Sequence, residues 1–466
     1  MHFYTDESIK LGAINKCLKK FEEINCEVHT LSIYQNNNKV FSYSPAPYSL
    51  KDTPEVYSMS KTFTATVAGI AWDMGLFSLD DKIVDIFPDE CPDVISENLA
   101  SMTVKNVISM NTGHECCVMP HMRHAENSVK AFLAQDVPYM PGTHFAYNTG
   151  ATCIISSIVE KLTGKCFFDF ACEKLFYPMG ITDVYWNKVD DGKCEGGIGL
   201  HISNDDISKL GLMYLNGGEF NGKRIVSKDW IDIATSAISD NSGNGDINWC
   251  VGYGCQIWKN KIDGYRADGA FGQFCLVLPA YKAVVTATVL SADTATELHT
   301  LIEMAQNLHS DSDEEFTGCD HTPAKGDDAC DSISGTYILD KNICGFNTAN
   351  ISFEKGIMNL TFSDSRSQQK ISAGNGQWVY SSYRAKQKAP KLLGLMSDLF
   401  EEDIKIASSY KAEKDKITLI SRHLNNPHTE TTVIQLTEGK LHFDINMSPA
   451  NDGIISLTKL TGKKAE

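Results

Sequence analysis

The stretch Val56-Tyr57-Ser58-Met59-Ser60-Lys61-Thr62-Phe63-Thr64 opens a predicted helix with an apolar stripe that ends at Gly75. Residues three apart lie on one helix face, so Ser58 and Lys61 are within reach of each other. A serine hydroxyl needs a neighbouring base to become a nucleophile, and a desolvated lysine with a lowered pKa can be that base. The partial positive charge at a helix N-terminus also favours an oxyanion. An N-cap serine beside a solvated lysine produces the same spacing, so the motif alone leaves both interpretations open.

Outward from this motif, the first 310 residues favour an antiparallel sheet covered by helices. A helix is predicted over residues 9–24 and a hairpin over 28–34 and 39–43, turning at Asn36-Asn37-Asn38. Helical patterns dominate residues 80–175. Strands are predicted at 251–258, 274–278 and 284–290, followed by a helix at 294–308. Strands at both ends of the segment with helices between them indicate an α+β fold.

The remainder of the chain changes character. Residues 310–331 are acidic and contain Pro and Gly, which predicts a linker. Short alternating runs then begin near residues 335, 348, 357, 416, 431 and 440, which is typical of a small all-β barrel or sandwich. The expected domains are therefore residues 1–309, a linker at 310–331 and a β-rich unit at 332–466.

Composition restricts the partners. The 466 residues are ample for two or three domains. The net charge of −17 argues against nucleic acid and anionic membranes, leaving a small-molecule substrate as the expected partner. We see no secretory leader and no long apolar span, and the fifteen scattered cysteines are typical of reduced thiols. A cytoplasmic location is the resulting expectation, whereas nothing indicates an oligomeric state.

Several ordered segments carry a family resemblance. They are the nucleophile stretch 56–64, then residues 76–83 (Leu-Phe-Ser-Leu-Asp-Asp-Lys-Ile), 102–110, 141–148 (Pro-Gly-Thr-His-Phe-Ala-Tyr-Asn) and 215–223. Together, over residues about 25–305, they resemble the serine β-lactamases and penicillin-binding proteins, in particular the class C branch. The resemblance implies a β-lactamase/transpeptidase-like fold, an antiparallel sheet flanked by helices with a helical insert, and Ser58 as the nucleophile.

The resemblance also implies roles for two further motifs. The family's Tyr-x-Asn corresponds to Tyr147-Asn148-Thr149, which makes Tyr147 a catalytic base or proton shuttle with Lys61, and Asn148 and Thr149 substrate-binding residues. The family's Lys/His-Thr-Gly strand corresponds to Ala267-Asp268-Gly269, also expected to bind substrate. The backbone N–H groups of Ser58 and Ala270 would form the oxyanion hole.

The third motif lacks its cation, which puts recognition of a substrate carboxylate in doubt. Arg266 is adjacent, but strand alternation directs it to the opposite face unless the strand bulges.

The function implied is acyl transfer to water through an acyl-enzyme, with an ester, amide or lactam as substrate. An intracellular esterase or a D-amino-acid amidase, rather than a true β-lactamase, remains an alternative, as does a non-catalytic binder. No metal or organic cofactor is required. A zinc site in the segment containing His114, Cys116, Cys117, His121 and His124 is disfavoured because the spacing does not match a closed tetrahedral site. Tyr185-Trp186 could be a pocket wall or a packing pair.

Overall fold

The computed structural model describes residues 2–189, 191–327, 330–384, 403–450 and 453–465. Its first unit is built on a seven-stranded sheet in which all neighbouring strands are antiparallel. In spatial order the strands are His2–Thr5, Asn38–Ser44, Glu27–Gln35, Ala283–Leu290, Gln273–Leu278, Tyr265–Gly269 and Trp258–Lys259. The α+β architecture inferred from the sequence is confirmed.

The hairpin and one strand show how local sequence sets this sheet. Asn36 and Asn37 both have positive φ, 48° and 66°, so they form the predicted hairpin turn. The strand predicted over residues 251–258 is wrong, because only Trp258–Lys259 is regular. Gly252 at φ 119° and Gln256 at φ 56° interrupt the extended backbone, leaving isolated bridges around Tyr253.

Helices cover both faces of the sheet. Leu11–Glu23 and Thr294–Gln306 pack on one face, and a helical insert packs on the other. The insert and its flanking segments contain Ser60–Asp73, Ile83–Ile86, Glu97–Ser101, Val104–Ile108, Met119–Met122, Ser128–Leu133, Thr149–Thr163, Phe167–Ala171, Asn204–Leu215 and Lys228–Ala234. Because both faces are covered, every residue of Ala283–Leu290 is buried, which explains its unbroken run of small and apolar residues.

The helix Ser60–Asp73 lies at the centre of this unit and is buried from Ser60 to Ala71. Its threonines are hydrogen-bonded within the core: Thr62 Oγ1 donates to the carbonyl of Gln256 at 2.8 Å, and Thr64 Oγ1 donates to that of Gly196 at 2.7 Å. Buried hydroxyls with partners fix the rotation of the helix about its axis. The nucleophile stretch is therefore held by the whole unit rather than by its own helix alone.

The second unit is a closed barrel. Among the described residues it has ten strands: Gly335–Leu339, Thr348–Glu354, Ile357–Ser363, Gln368–Gly374, Val379–Arg384, Asp403–Glu413, Lys416–His423, Thr429–Thr437, Lys440–Ala450 and Gly453–Lys464. A parallel pairing of Gly374 with Ser409 completes the closure. Apolar side chains that alternate along the strands, such as Leu360, Leu419 and Phe443, fill the interior. Of the two all-β folds that the sequence predicts, the barrel is the one observed.

The first part of the acidic segment, residues 310–319, lies against the first unit, whereas Ala324 and Gly326 bond to the barrel. Lys10 and Lys16 bind Asp313 and Asp311 at 2.8 and 2.7 Å. The Phe316 ring stacks on Phe3 with a centroid separation of 4.2 Å. Two of the carboxylates that suggest a solvated linker in the sequence, Asp311 and Asp313, are thus paired with lysines at the start of the first helix.

The two units meet through a buried polar cluster centred on Glu27. Its carboxylate contacts the guanidinium of Arg422 and accepts hydrogen bonds from Tyr48 Oη at 2.7 Å and Thr429 Oγ1 at 2.8 Å. His29 Nε2 lies 3.4 Å away. Burial by itself raises the pKa of Glu27, but the contacts with His29 and Arg422 outweigh it, so the pKa lies well below its usual range. The ionised carboxylate therefore ties the barrel to the sheet.

Among the residues that the structure describes the cysteines form no disulfide, and most of them are buried. Within the part of the chain that the structure describes, the helices are too short or too polar to cross a bilayer.

Candidate active site

The nucleophile stretch enters the site through a strained turn. Tyr57–Met59 forms one 3₁₀ turn that leads into the helix Ser60–Asp73. Tyr57 has φ 47°, which is uncommon for a bulky residue and occurs where surrounding structure enforces it. Ser60 Oγ donates to the Tyr57 carbonyl at 2.6 Å and accepts from the N–H of Leu200 at 3.2 Å. The adjoining Ser58 is left partly exposed.

Lys61 is buried beneath Ser58. Its side chain is 1% exposed, and Nζ donates to Ser58 Oγ at 3.0 Å and to the carbonyl of Gly197 at 2.7 Å. Burial lowers the pKa of Lys61 to about 8, although the charges of Glu195 and Asp268 act in the opposite direction. An appreciable fraction of Lys61 is therefore an uncharged amine near neutral pH, and that form can accept a proton from Ser58.

Tyr147 forms the other wall beside Ser58. Its ring lies 5.0 Å from Lys61 Nζ, measured to the centroid, and stacks on Trp258 at 5.4 Å. Desolvation raises the pKa of the Tyr147 phenol above its ordinary value, and its contact with Ser58 only partly offsets this. The neutral phenol can relay a proton as donor and acceptor. Between the two predicted bases, Lys61 is the better proton acceptor at neutral pH.

Asn148, the next residue of the second motif, caps a helix. The sequence predicts that Asn148 binds substrate, but its side chain is fully buried as the N-cap of the helix Thr149–Thr163. Its Oδ1 accepts from the backbone N–H groups of Gly150 at 3.0 Å and Val118 at 3.2 Å. The oxygen is thus used to satisfy the helix N-terminus, and the substrate contact expected of Asn148 stays a prediction.

Thr149 faces the loop that holds Lys61. A methyl group added to Gly197 would lie 2.6 Å from Thr149 Cγ2, so the two backbones approach closely only because residue 197 is glycine. Thr149 is half-buried at this contact. Its placement next to the carbonyl that binds Lys61 keeps it at the rim of the site.

The third motif lies on the strand Tyr265–Gly269. A methyl group on Gly269 would lie 2.3 Å from the Val56 carbonyl, so glycine allows this strand to approach the nucleophile stretch itself. Ala267 is 5% exposed and belongs to the apolar core against the helical insert. The Ala267 side chain therefore packs in the core and does not make the substrate contact that the sequence predicts for it.

Arg266 does not replace the missing cation. It is 1% exposed, and its guanidinium donates to Asp268 Oδ2 at 3.0 Å and to the carbonyls of Lys259 and Asn248 at 3.1 and 2.9 Å. It lies over the Trp249 ring, 5.1 Å from the centroid. The strand does not bulge there, since Arg266 and Asp268 pair regularly with Leu276 and Phe274. The Arg266 guanidinium is therefore bound by acceptors within the protein and is not available to a substrate.

Asp268 occupies the position of the family's threonine. Its Oδ2 also accepts from Trp249 Nε1 at 2.7 Å, and its side chain is 13% exposed. Burial raises the pKa of Asp268, and Arg266 and Trp249 partly offset that effect. The site thus carries a hydrogen-bonding acceptor where the resembled family carries a hydroxyl donor.

The predicted oxyanion-hole residue Ala270 lies beside the nucleophile stretch. It packs against a small apolar cluster made of Tyr57, Phe271 and Leu290. Tyr57 precedes Ser58, and Phe271, with φ 63°, follows Ala270. The two backbone segments that carry the expected donors are therefore in side-chain contact.

Sequence reasoning missed a buried ion pair next to Lys61. Glu195 is fully buried and lies 3.5 Å from the Arg123 guanidinium. Burial raises the pKa of Glu195 to about 7, and the charges of Arg123 and Lys61 limit the rise. The only sequence signal was the adjacent Gly196-Gly197 pair, which does not reveal what the loop packs against.

Two of the remaining candidates, His114 and Trp186, are buried packing residues. His114 is buried, its Nδ1 pairs with Thr112 Oγ1 at 2.9 Å, and burial lowers the pKa of His114 to about 4. Among the residues described, no group of three or more His, Cys, Asp or Glu side chains is placed to hold a metal ion. Trp186 is buried and donates from Nε1 to the Ile198 carbonyl at 2.8 Å, so it packs rather than lining a pocket.

Comparison with known proteins places these features in context. The profile of the family described as Beta-lactamase matches residues 30–305. Over 289 residues the chain is 23% identical to penicillin-binding protein 4 of Amycolatopsis lactamdurans, covering 52% of this chain and 73% of that protein. A solved family VIII carboxylesterase is 17% identical with a TM-score of 0.53, covering 66% of this chain and 100% of that one. An octameric penicillin-binding protein homologue from Pyrococcus abyssi is 14% identical with a TM-score of 0.51, covering 97% of this chain and 99% of that one.

Proposed function

Because the chain belongs to the beta-lactamase family, we propose that it is a serine hydrolase that cleaves esters or amides through an acyl-enzyme on Ser58. One observation carries the proposal. Lys61 Nζ lies 3.0 Å from Ser58 Oγ, and Lys61 is a buried amine whose pKa burial lowers to about 8. A hydroxyl within hydrogen-bond reach of a base that is partly neutral at pH 7 is an activated nucleophile.

In the proposed reaction, Ser58 Oγ attacks the carbonyl carbon while its proton passes to neutral Lys61. The backbone N–H groups of Ser58 and Ala270 stabilise the oxyanion of the tetrahedral intermediate. The carbonyl re-forms as the bond to the leaving group breaks, and the leaving group takes a proton from Lys61 through the Tyr147 hydroxyl. Water then attacks the acyl-enzyme and gives a proton to Lys61 through Tyr147. The bond to Ser58 Oγ breaks, Ser58 Oγ takes that proton back, and the acid leaves.

The test is covalent labelling. A fluorophosphonate should add to the wild-type protein with a mass increase located on Ser58, and Ser58→Ala should abolish both labelling and hydrolysis with an unchanged melting temperature. Ser78→Ala, which removes an exposed serine on a turn, is the matched control and should label normally. Hydrolysis that persists in Ser58→Ala would refute the assignment. An unlabelled, inactive wild type would support a non-catalytic binder.

Substrate preference follows from the charges at the third motif. Ala267 supplies no cation and the Arg266 guanidinium is fully engaged, so a substrate carboxylate there would be desolvated without a partner, at a cost of several kcal/mol. We therefore expect neutral esters and amides to be hydrolysed faster than matched carboxylates. A preference for the carboxylate of tenfold or more in kcat/KM, about 1.4 kcal/mol, would contradict this.

A second candidate, an amidase for substrates with an amine, is favoured by Asp268. Its carboxylate is an acceptor where the resembled family offers a hydroxyl, and both of its hydrogen bonds go to Oδ2. The kcat/KM of a cationic substrate should then exceed that of its neutral analogue. Asp268→Asn keeps one acceptor oxygen but removes the charge, so it should abolish that difference in kcat/KM. Equal rates for the amine and its neutral analogue would exclude this candidate.

A further inference from the structure

The barrel reaches the active site through one loop. Residues 423–429 join the strands Lys416–His423 and Thr429–Thr437 and lie against the residues that precede Ser58. The N–H of Glu55 donates to the Asn425 carbonyl at 3.0 Å. Two residues later, the Tyr57 hydroxyl and His428 Nε2 share a buried hydrogen bond of 2.7 Å. The loop is thus hydrogen-bonded to the backbone just before the nucleophile stretch and to one of its side chains.

His428 also touches the other side of the site. Its ring lies edge-on to Phe271 with a centroid separation of 4.8 Å, and Phe271 lies edge-on to Tyr57 at 5.3 Å. Tyr57 immediately precedes Ser58, and Phe271 immediately follows Ala270. Both have positive φ, 47° and 63°, a conformation that persists in large residues only where the surroundings enforce it. His428 lies where the two segments meet.

The loop itself is held rigidly by the barrel. The N–H of His428 donates to Asn426 Oδ1 at 3.0 Å, and its carbonyl accepts from the N–H of His423 at 2.9 Å. Asn425 Oδ1 accepts from the N–H of Lys405 at 3.1 Å, which lies on the strand Asp403–Glu413. A side chain anchored in this way can define the position of its partners, because few of its own conformations remain available.

We infer that His428 of the barrel is a positioning residue for the oxyanion hole: through Tyr57 and Phe271 it sets the spacing between the Ser58 and Ala270 N–H groups. The inference rests on the proposed function, since it concerns the transition state of that reaction. It assigns the barrel a part in catalysis that the first unit cannot supply alone. The effect belongs to kcat, because the oxyanion forms in the transition state and not in the bound substrate.

The test uses the full-length protein and removes the same hydrogen bond from each side. Tyr57→Phe removes only the hydroxyl, and His428→Phe keeps an aromatic ring against Phe271 but removes Nε2. Each should lower kcat about tenfold, the effect expected for one buried hydrogen bond, with KM changed less than twofold. The double variant should lose no more than either single variant, because both remove one interaction. His428→Gln, whose amide can reach the hydroxyl, should recover part of kcat.

Thr429→Val is the matched control. It removes the bond from Thr429 Oγ1 to Glu27 at the same interface but keeps both groups of the Tyr57–His428 hydrogen bond, so it should lower the melting temperature and leave kcat within twofold. The inference is overturned if losses in the double variant multiply, if Thr429→Val lowers kcat as much as His428→Phe, or if His428→Phe and Tyr57→Phe keep wild-type kcat. These outcomes can be told from failure of the proposed function by fluorophosphonate labelling. If the proposed function is right, the wild type labels at Ser58; if it is wrong, neither the wild type nor any variant labels.

Discussion

The acid side of the pH–rate profile should report the ionisation of Lys61. Only the neutral amine can take the Ser58 proton, so kcat/KM should rise with pH and reach a plateau above the pKa of Lys61. Burial lowers that pKa from 10.5 to about 8. At pH 7 this raises the neutral fraction from about one in three thousand to about one in ten, roughly a 300-fold gain in active base. The structure therefore predicts half-maximal kcat/KM near pH 8.

The assay is hydrolysis of a neutral ester, whose own charge does not change with pH, measured from pH 5 to 10. Glu195→Gln is the informative variant, because the Glu195 charge raises the pKa of Lys61 and its loss also leaves Arg123 without its anionic partner. The midpoint should move to lower pH. Lys130→Gln, on the helix Ser128–Leu133, is the control for a general change of charge and should leave the midpoint unchanged.

Two results would refute this reasoning. A midpoint near 10.5 would mean that Lys61 keeps the pKa of a solvated lysine, so burial would not activate it as a base. A midpoint that moves to higher pH in Glu195→Gln would mean that Glu195 does not act on Lys61 through its charge.

Further predictions concern proton relay by Tyr147, the stability lost by burying Lys61, and the structural roles of Arg422 and Asn148. Tyr147→Phe should lower kcat roughly 10²–10⁴-fold if the hydroxyl relays the proton, and a loss below threefold would remove it from the mechanism. Lys61→Met should be inactive yet more stable by up to about 3 kcal/mol in urea unfolding at pH 7, since the depressed lysine pKa costs stability below pH 8 and that cost fades as pH rises towards 10.5. Arg422→Met should cost about 3–5 kcal/mol by leaving Glu27 unpaired. Folding lowers the pKa of Glu27, so its ionised carboxylate stabilises the folded state above pH 4.5 and this stabilisation is lost as the pH falls further. The difference in unfolding free energy between Arg422→Met and wild type should therefore shrink below pH 4.5. Asn148→Ala should cost about 1 kcal/mol by thermal unfolding through loss of the cap, whereas Asn148→Asp should retain most of that stability.

The structure also changes how the missing cation can be tested. A histidine at position 267 would place a titratable nitrogen where the resembled family has its cation. Ala267 is buried in the core, so a histidine there would overpack it and cost about 1–3 kcal/mol. Asp268 is the more accessible position on the same strand.

The sequence by itself determined the features that depend on near neighbours. The Ser-x-x-Lys spacing places Ser58 and Lys61 on one helix face whatever surrounds them. The hairpin follows from asparagines that tolerate positive φ, and the order of motifs identified the fold. In the barrel, the strands with clear alternation were predicted. Gln368–Gly374, Val379–Arg384, Asp403–Glu413 and Gly453–Lys464 were not, since they carry weaker apolar alternation or many polar residues.

Only the tertiary structure decided which charges and hydroxyls are available to a substrate. Arg266 is one residue from the third motif in sequence, yet internal acceptors consume its guanidinium. Glu195 lies 134 residues from Lys61 and His428 lies 371 residues from Tyr57, the latter pair bonded at 2.7 Å. Neither contact has a local signal, because the burial that lowers the Lys61 pKa and the loop that holds Tyr57 exist only once distant segments have packed together.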